Sequence, residues 1–497
     1  MRILLRLEGW LPTSSFVIMW GALLSFVLCM DSYNSVFSAL ADSGTDSSVF
    51  RYTALVMMNG GAPYVDAFDH KGPLIFFYNY IGALLSYDHG IWLIELVSMV
   101  VTVYFMYHTA LLMMRKSMAM LCVTLAGTSL SWYMERGNFT EEYALPFIAL
   151  AMFIFMDYFL NTRLNLERLF LLGISMGAVC LLRPNMVAVW GVGGVMLAYY
   201  LLRDRGIKHL ILDLFVFVVG LALAISAAYV WLDSYGAVSE AWHDFIAFNM
   251  SYTSDSTRAS GWHRLISFVY FAANPFVMLA VGTYIYRLRQ RRQQYVVFVA
   301  MSILLSLVLI CISGQRFPHY GMVLVPLFVV SISDFLRMMH DDTASWSRIV
   351  RGCISVVTIV MLTGSSLAYA GMVWRGVHTA FIGRYHDADI QEIVHLIDGC
   401  TNPGERIAVV GNYDLVYVMS KRLAVSRYSY QSPIAKVRPE IGKEFLQDLM
   451  TVRPRLVVRH RENAGVDEFL NRDGYREIYH GQTADVYFRD DKAGESW

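Results

Sequence analysis

Charge is scarce in this chain: only 16% of its residues are Asp, Glu, Lys or Arg, where soluble domains carry about 25%. That shortfall excludes an ordinary water-soluble globular protein. Cysteine is scarce too. The six thiols, Cys29, Cys122, Cys180, Cys311, Cys353 and Cys400, are scattered singly, which excludes a disulfide framework and a paired-thiolate zinc site. There is no internal repeat and no low-complexity stretch beyond the polar 251–258 region. Gly411 stands alone after a strand-like run and lacks the spaced glycines of a dinucleotide fingerprint. The 40 basic residues are matched by 40 acidic ones, so the charge balance does not point to nucleic acid.

What the chain does have is apolar length. Hydrophobic residues make up 56% of it, and crossing a hydrocarbon layer of about 30 Å takes about 20 of them in a helix. Eleven such stretches are read at roughly 12 to 30, 90 to 113, 117 to 133, 143 to 161, 168 to 182, 186 to 203, 209 to 232, 264 to 286, 295 to 313, 319 to 337 and 348 to 373. The first follows Arg2 and Arg6 as a signal peptide would, but no small-residue cleavage pattern closes it, so it is kept as a span. Basic residues gather at every second connection, from Arg115 and Lys116 to Arg348 and Arg351. Because Lys and Arg accumulate on the cytoplasmic side, the amino end is expected inside. The segment Pro73 to Tyr87 is too short to span without reversing every later helix. It is read as an interfacial helix with Phe76, Phe77, Tyr78 and Tyr80 at headgroup level.

This path gathers the chemically interesting residues on the outer face. They are the loop from Asp46 to Pro73, the segment Glu135 to Glu142, the turn Arg183, Pro184, Asn185, the long loop 233–263, and the turn Gly314 to His319. From about residue 375 charged residues rise and apolar runs shrink to strand length. Residues 1–374 are therefore read as a membrane domain and 375–497 as a small extracytoplasmic α/β domain. Its helices are expected near 389–398 and 441–450, and its strands near 406–410, 455–458, 475–479 and 485–488.

The first outer loop carries the most specific pattern. An Asp follows the opening span, and then come Pro63, Tyr64, Asp66, Asp69, His70, Lys71, Gly72 and Pro73 ahead of an aromatic helix. This order resembles the bacterial multi-pass GT-C glycosyltransferases related to the protein mannosyltransferases and lipid A aminoarabinose transferases. The resemblance continues through Glu135-Arg136-Gly137-Asn138, Leu182-Arg183-Pro184-Asn185 and Arg316-Phe317-Pro318-His319-Tyr320. It implies a GT-C-like helical membrane fold and sugar transfer from a polyprenyl-phosphate donor on the outer face. It also implies that the first aspartate of the loop, Asp46, is the catalytic base, that no cofactor is used and that no metal is required. Protein mannosyltransferases follow this aspartate with Glu, whereas here Ser47 follows. A cell-envelope glycan or glycolipid is therefore the expected acceptor.

The residue types suit such a transfer. An acceptor hydroxyl needs a base within about 3 Å, and Asp46 can supply one; the plainer reading is that it caps the helix starting at Ser47. Asp42 is the competitor. Asp66, Asp69, His70, Glu135 and Glu142 are candidates for holding acceptor or sugar hydroxyls, or else members of solvated, salt-bridged turns. A departing phosphate gathers negative charge that fixed cations stabilise. Arg183 and Arg316 stand at outer helix ends, where an arginine without a partner costs a few kcal/mol, and guanidinium forks fit phosphate. Lys71, His319 and Tyr320 are further donors. The plainer alternatives are a snorkelling Arg183 and an Arg316 paired with Glu135 or Glu142. Trp242, His243, Tyr252, Trp262 and His263 suit either sugar stacking or an interfacial belt. The competing function is a lipid-linked sugar flippase, which would place charges mid-bilayer; here Glu95 and Asp157 are among the few. A non-catalytic envelope-assembly protein would not need the acidic loop.

Overall fold

A computed structural model describes residues 12–37, 46–254, 261–290, 293–341, 348–381, 388–432, 434–436, 438–461 and 466–489. Arg2, Arg6, Asp42 and residues 255–258 of the polar stretch lie outside the described residues. The chain forms two compact units, Met1–Ser35 with Trp92–Ala228 and Ser256–His378, and Val36–Ile91 with Tyr229–Asp255 and Thr379–Trp497.

The first unit is helical, and its helices fall where the apolar runs lie. Four described helices are long and apolar enough to cross a membrane: Gly90–Leu111, Thr140–Asn161, Ile207–Asp233 and Pro318–Met339. Gly261–Ala272 and Pro275–Arg289 make a fifth if taken as one broken span. The apolar run at roughly 264 to 286 reads in sequence as a single span. Instead the two parts meet at 84°. Pro275 has no N–H to continue the ladder and disfavours helical backbone at Asn274, whose Oδ1 accepts from Phe276 N at 2.9 Å to start the second part. Ser14–Leu28 and Gln294–Ile310 are shorter apolar helices. Without a hydrophobic drive between helices in lipid, small residues let them approach. A Cβ on Gly173 would strike the Phe217 carbonyl, and one on Gly220 the Phe170 carbonyl. Ile207–Asp233 accordingly lies tight against Leu166–Leu182, while most of its own surface stays uncovered and apolar.

The second unit combines a helix hairpin with a mixed sheet. Asp46–Met58 packs against Pro73–Leu85, and the tail contributes four strands in the order β1-β2-β4-β3. β1 (Ala408–Val410) runs parallel to β2 (Leu456–His460), pairing Val409 with Val458. β4 (Ala484–Phe488) runs antiparallel to β2 and to the edge strand β3 (Arg476–His480). The expected tail helices appear as Ala388–Cys400 and Pro439–Val452. One core face joins Ile393, Ile397, Val409, Val458 and Val486 to Tyr52, Leu55 and Val56 of the Asp46 helix. Phe76, expected at headgroup level, is instead fully buried, its ring 6.2 Å from Phe50 and 5.1 Å from Tyr64. Phe77 on the opposite side is exposed.

Tyr52 ties that helix to the sheet: its hydroxyl accepts from Ala424 N at 2.9 Å, and its ring lies 5.0 Å from Tyr417. Tyr52→Phe keeps the packing but leaves a buried N–H without its acceptor. It is expected to cost about 1 to 3 kcal/mol, read as a lower unfolding midpoint of the purified protein in detergent. An unchanged midpoint would show that this bond does not hold the unit.

Candidate active site

In the second unit the loop before Pro73 is built to present its polar groups in fixed positions. Tyr64 adopts the left-handed backbone, φ 65°, unusual for a bulky residue. It is held there from three sides. Its N–H donates to Ala67 O at 2.9 Å, its hydroxyl donates to Lys71 O at 2.7 Å, and its ring packs on Phe76. Asp66 Oδ2 accepts from Ala62 N at 2.7 Å, so this exposed carboxylate shapes the turn. Asp69 is buried, and its Oδ1 accepts from Lys71 N at 2.9 Å and lies 3.5 Å from His70 Nδ1. His70 packs its ring on Phe248 at 5.4 Å, and its carbonyl accepts from Asn249 Nδ2 at 2.6 Å.

These constraints deliver Lys71 to Asp46. Lys71 Nζ lies 3.0 Å from Asp46 Oδ2, at the first turn of Asp46–Met58, and 5.7 Å from the Phe50 ring centre. The Asp46 side chain remains 39% exposed while that of Lys71 is 12% exposed, so the carboxylate is the accessible member of the pair. Lys71, read from sequence as a phosphate donor, lies against the carboxylate read as the base.

Further carboxyls surround this pair that sequence reasoning passed over. Asp244 pairs with Arg427, whose guanidinium also faces Phe68 and Tyr428. Asp414, from the turn after β1, is fully buried. Its only signal in sequence was an acid set between Tyr413 and Leu415 just beyond a buried strand. Burial pushes Asp69 up to about 6, with Lys71 pulling down and Asp46 pushing up. Burial likewise pushes Asp244 up to about 6 against the pull of Arg427.

In the first unit Glu135 to Glu142 and the turns near Arg183 and His319 form a second polar group. Arg136, Gly137 and Asn138 all have positive φ, from 61° to 81°, a tight left-handed run. Glu142 fixes it by accepting from Asn138 N at 2.8 Å. Tyr143 donates to Asn138 Oδ1 at 3.1 Å. His319 lies stacked on Phe139 with centroids 4.3 Å apart, its Nδ1 2.5 Å from Glu135 Oε2. Arg183 pairs with the buried Glu141 and stands 4.0 Å over the Tyr320 ring. It is thus neither bare nor simply snorkelling, and Glu141, in the motif but not among the expected site residues, is its counter-ion. Arg316 is exposed, and no pairing with Glu135 or Glu142 forms: Glu135 holds His319 and Glu142 holds Asn138.

Among the described residues, Glu477, His480 and Asp485 bring metal-capable atoms within 4.8 Å of one another on β3 and β4. They are already an ion-pair network. Arg459 and Arg461 reach Asp485 at 2.9 and 3.4 Å, and Arg461 Nη2 lies 2.6 Å from His480 Nε2. Two guanidiniums at that point disfavour a further cation.

Asp69 gives a pH test of the loop. A carboxyl raised from 3.8 to about 6 by burial keeps its proton in the folded chain where the unfolded chain has lost it, so its contribution to stability falls as pH rises from about 4 through 6. Asn keeps the acceptor for Lys71 N and does not titrate. Relative to wild type, Asp69→Asn should gain up to about 3 kcal/mol between pH 4 and 8, measured as unfolding midpoints at both values. A constant difference would show that Asp69 ionises normally.

Comparison with known proteins fits this architecture. No curated protein matches the chain in sequence. Among solved structures, ArnT from Cupriavidus metallidurans bound to undecaprenyl phosphate is similar at 14% identity and TM-score 0.66, covering 96% of this chain and 98% of that one. The same protein in the apo state gives 13%, 0.64, 95% and 98%. The apo oligosaccharyltransferase of Archaeoglobus fulgidus gives 13% identity and TM-score 0.51, covering 89% of this chain and 69% of that one. At such identities the likeness shows the fold alone: the chain shares its overall architecture with these two proteins. A family model matches residues 13–363, well over half of the chain, and the chain belongs to the family described as "Putative competence-induced protein Ccs4 N-terminal domain".

Proposed function

We propose that this protein is an inverting membrane glycosyltransferase. It moves one sugar from a polyprenyl-phosphate donor to a cell-envelope glycan or glycolipid at the outer face, with eleven spans, the amino end in the cytoplasm, and residues 375–497 outside. The observation that carries the reading is the Lys71–Asp46 pair, an accessible carboxylate held at a helix start by a buried-loop ammonium, in a chain with the fold of ArnT. The ArnT structure in question is bound to undecaprenyl phosphate, which makes that lipid the donor carrier to test first.

The chemistry balances with these groups alone. The acceptor hydroxyl gives its proton to Asp46 as its oxygen forms a bond to the anomeric carbon. The bond from that carbon to the phosphate oxygen breaks, its electron pair leaving with the polyprenyl phosphate. The sequence motif assigns Arg316 and Arg183 to that growing anion. Arg183 is neutralised by Glu141 and offers its remaining N–H donors from a fixed plane, with His319 and Tyr320 beside it. Asp69, His70, Glu135 and Glu142 serve mainly to hold the loops that carry these groups. The flippase alternative is less favoured because Asp157, one of the mid-helix charges it would use, is tied up by Arg168 at 2.7 Å and by Asn161.

The test is release of undecaprenyl phosphate from synthetic undecaprenyl-phosphate hexoses and pentoses by the purified protein, with envelope glycolipids as acceptors. Asp46→Asn should lower turnover by at least about a hundredfold while donor binding and folding are retained. Near-normal turnover in this variant removes Asp46 from the mechanism, and transport of the intact donor without cleavage favours the flippase.

A further inference from the structure

After β1 the tail runs through Gly411, Asn412 and Tyr413 to Asp414, then into the helix Leu415–Ser420, which packs directly on Asp46–Met58. The contact is fixed by several bonds. The Tyr417 ring lies tilted against Tyr52 and its hydroxyl accepts from Val409 N at 2.7 Å, Tyr87 donates to Val418 O at 2.6 Å, and Gln431 Oε1 accepts from Gly411 N at 2.8 Å. The turn is thereby pinned with Asp414 fully buried beside Ser48, two residues along the helix from Asp46.

A carboxyl in such a place is costly unless it has a task, since an apolar side chain of the same size would fill the space without desolvation. The groups that act on its charge are the Ser48 hydroxyl and the carboxyls of Asp46 and Asp69, and its charge is felt in turn by the phenols of Tyr52, Tyr417 and Tyr430. Lys71 reaches the cluster through Asp46 and Asp69. The position is therefore governed by burial and by like charge.

We propose that the tail contributes Asp414 to the transfer site as a positioning residue, a second carboxyl that sets how strongly Asp46 draws the acceptor's proton. This rests on the reading of Asp46 as the base. Burial, the main cause, pushes Asp414 up to about 7; Ser48 pulls down, and Asp46 and Asp69 push up. Below that pH Asp414 is neutral and adds no charge beside Asp46. Above it the added negative charge makes Asp46 the stronger base, which speeds proton removal. The proton lost near pH 7 belongs to the carboxyl cluster as a whole, with Asp414 its main holder.

The experiment is the kcat/KM profile for undecaprenyl phosphate release by the full-length protein between about pH 5 and 9. Wild type should step up by at least about threefold through pH 7, and Asp414→Asn should lack that step while keeping the lower plateau. A folded Asp414→Asn variant that keeps the step, or a wild-type profile flat through this range, overturns the proposal. If Asp46→Asn is inactive in the same assay but the step survives Asp414→Asn, this inference falls and the base assignment stands. If Asp46→Asn stays active, the base assignment itself falls. Difference infrared spectroscopy of wild type with carbon-labelled aspartate needs no variant to fold: a protonated carboxyl must titrate near pH 7, and its absence overturns the proposal.

Discussion

The contact on which the account depends is the one between Lys71 and Asp46. As an ion pair it adds little stability, because the carboxylate is well exposed and such pairs are worth about 0 to 1 kcal/mol. Its importance is geometric. The ammonium arrives at the start of Asp46–Met58 only because the preceding loop is over-determined: Tyr64 is held in a left-handed conformation, Asp69 grips the Lys71 N–H, and Tyr64 grips the Lys71 carbonyl. Strain of this kind persists where the surroundings enforce it, and it clusters at functional sites. The opposite charge at 3.0 Å keeps Asp46 in the form that can accept a proton.

In the helical unit Glu141 is paired with Arg183 and Glu135 with His319, and Glu142 accepts from the Asn138 N–H. These bonds make the left-handed Arg136–Asn138 run and the Arg183 fork rigid, which is what a preorganised anion site needs. In the other unit burial, more than any neighbouring charge, pushes Asp69 and Asp414 up, so each holds its proton longer than an exposed carboxyl does. A cluster of that kind suits the handling of a proton better than the holding of a cation.

Much of this was legible in the chain itself. The apolar runs gave helices in the first unit, although among the described residues only four, or five with the bent pair, are long and apolar enough to span; the short apolar and β-rich runs in the tail gave all four strands, and the spacing of Asp66, Asp69, His70 and Lys71 after Asp46 gave the loop and its family resemblance. The misses have physical causes. A hydropathy window passes smoothly over Asn274 and Pro275, where the backbone loses a donor and turns by 84°. Phe76 looks interfacial until its partners Phe50 and Tyr64, brought from elsewhere in the chain, surround it. Lys71 could be read equally as a donor to phosphate or to a carboxylate, and only the folded hairpin decides which oxygen it meets. Asp414 lies 368 positions after Asp46 in a segment of different composition, and its pairing with the Asp46 helix depends on a sheet core that no local pattern encodes.

The central claim is that Asp46, kept ionised by its ammonium partner, takes the acceptor's proton. The most direct measurement is the acid limb of kcat/KM for undecaprenyl phosphate release in Lys71→Met against wild type. Removing a positive charge 3.0 Å away should move that limb to higher pH by about one unit or more. A limb that stays where it is, with the variant folded and active, would contradict the account.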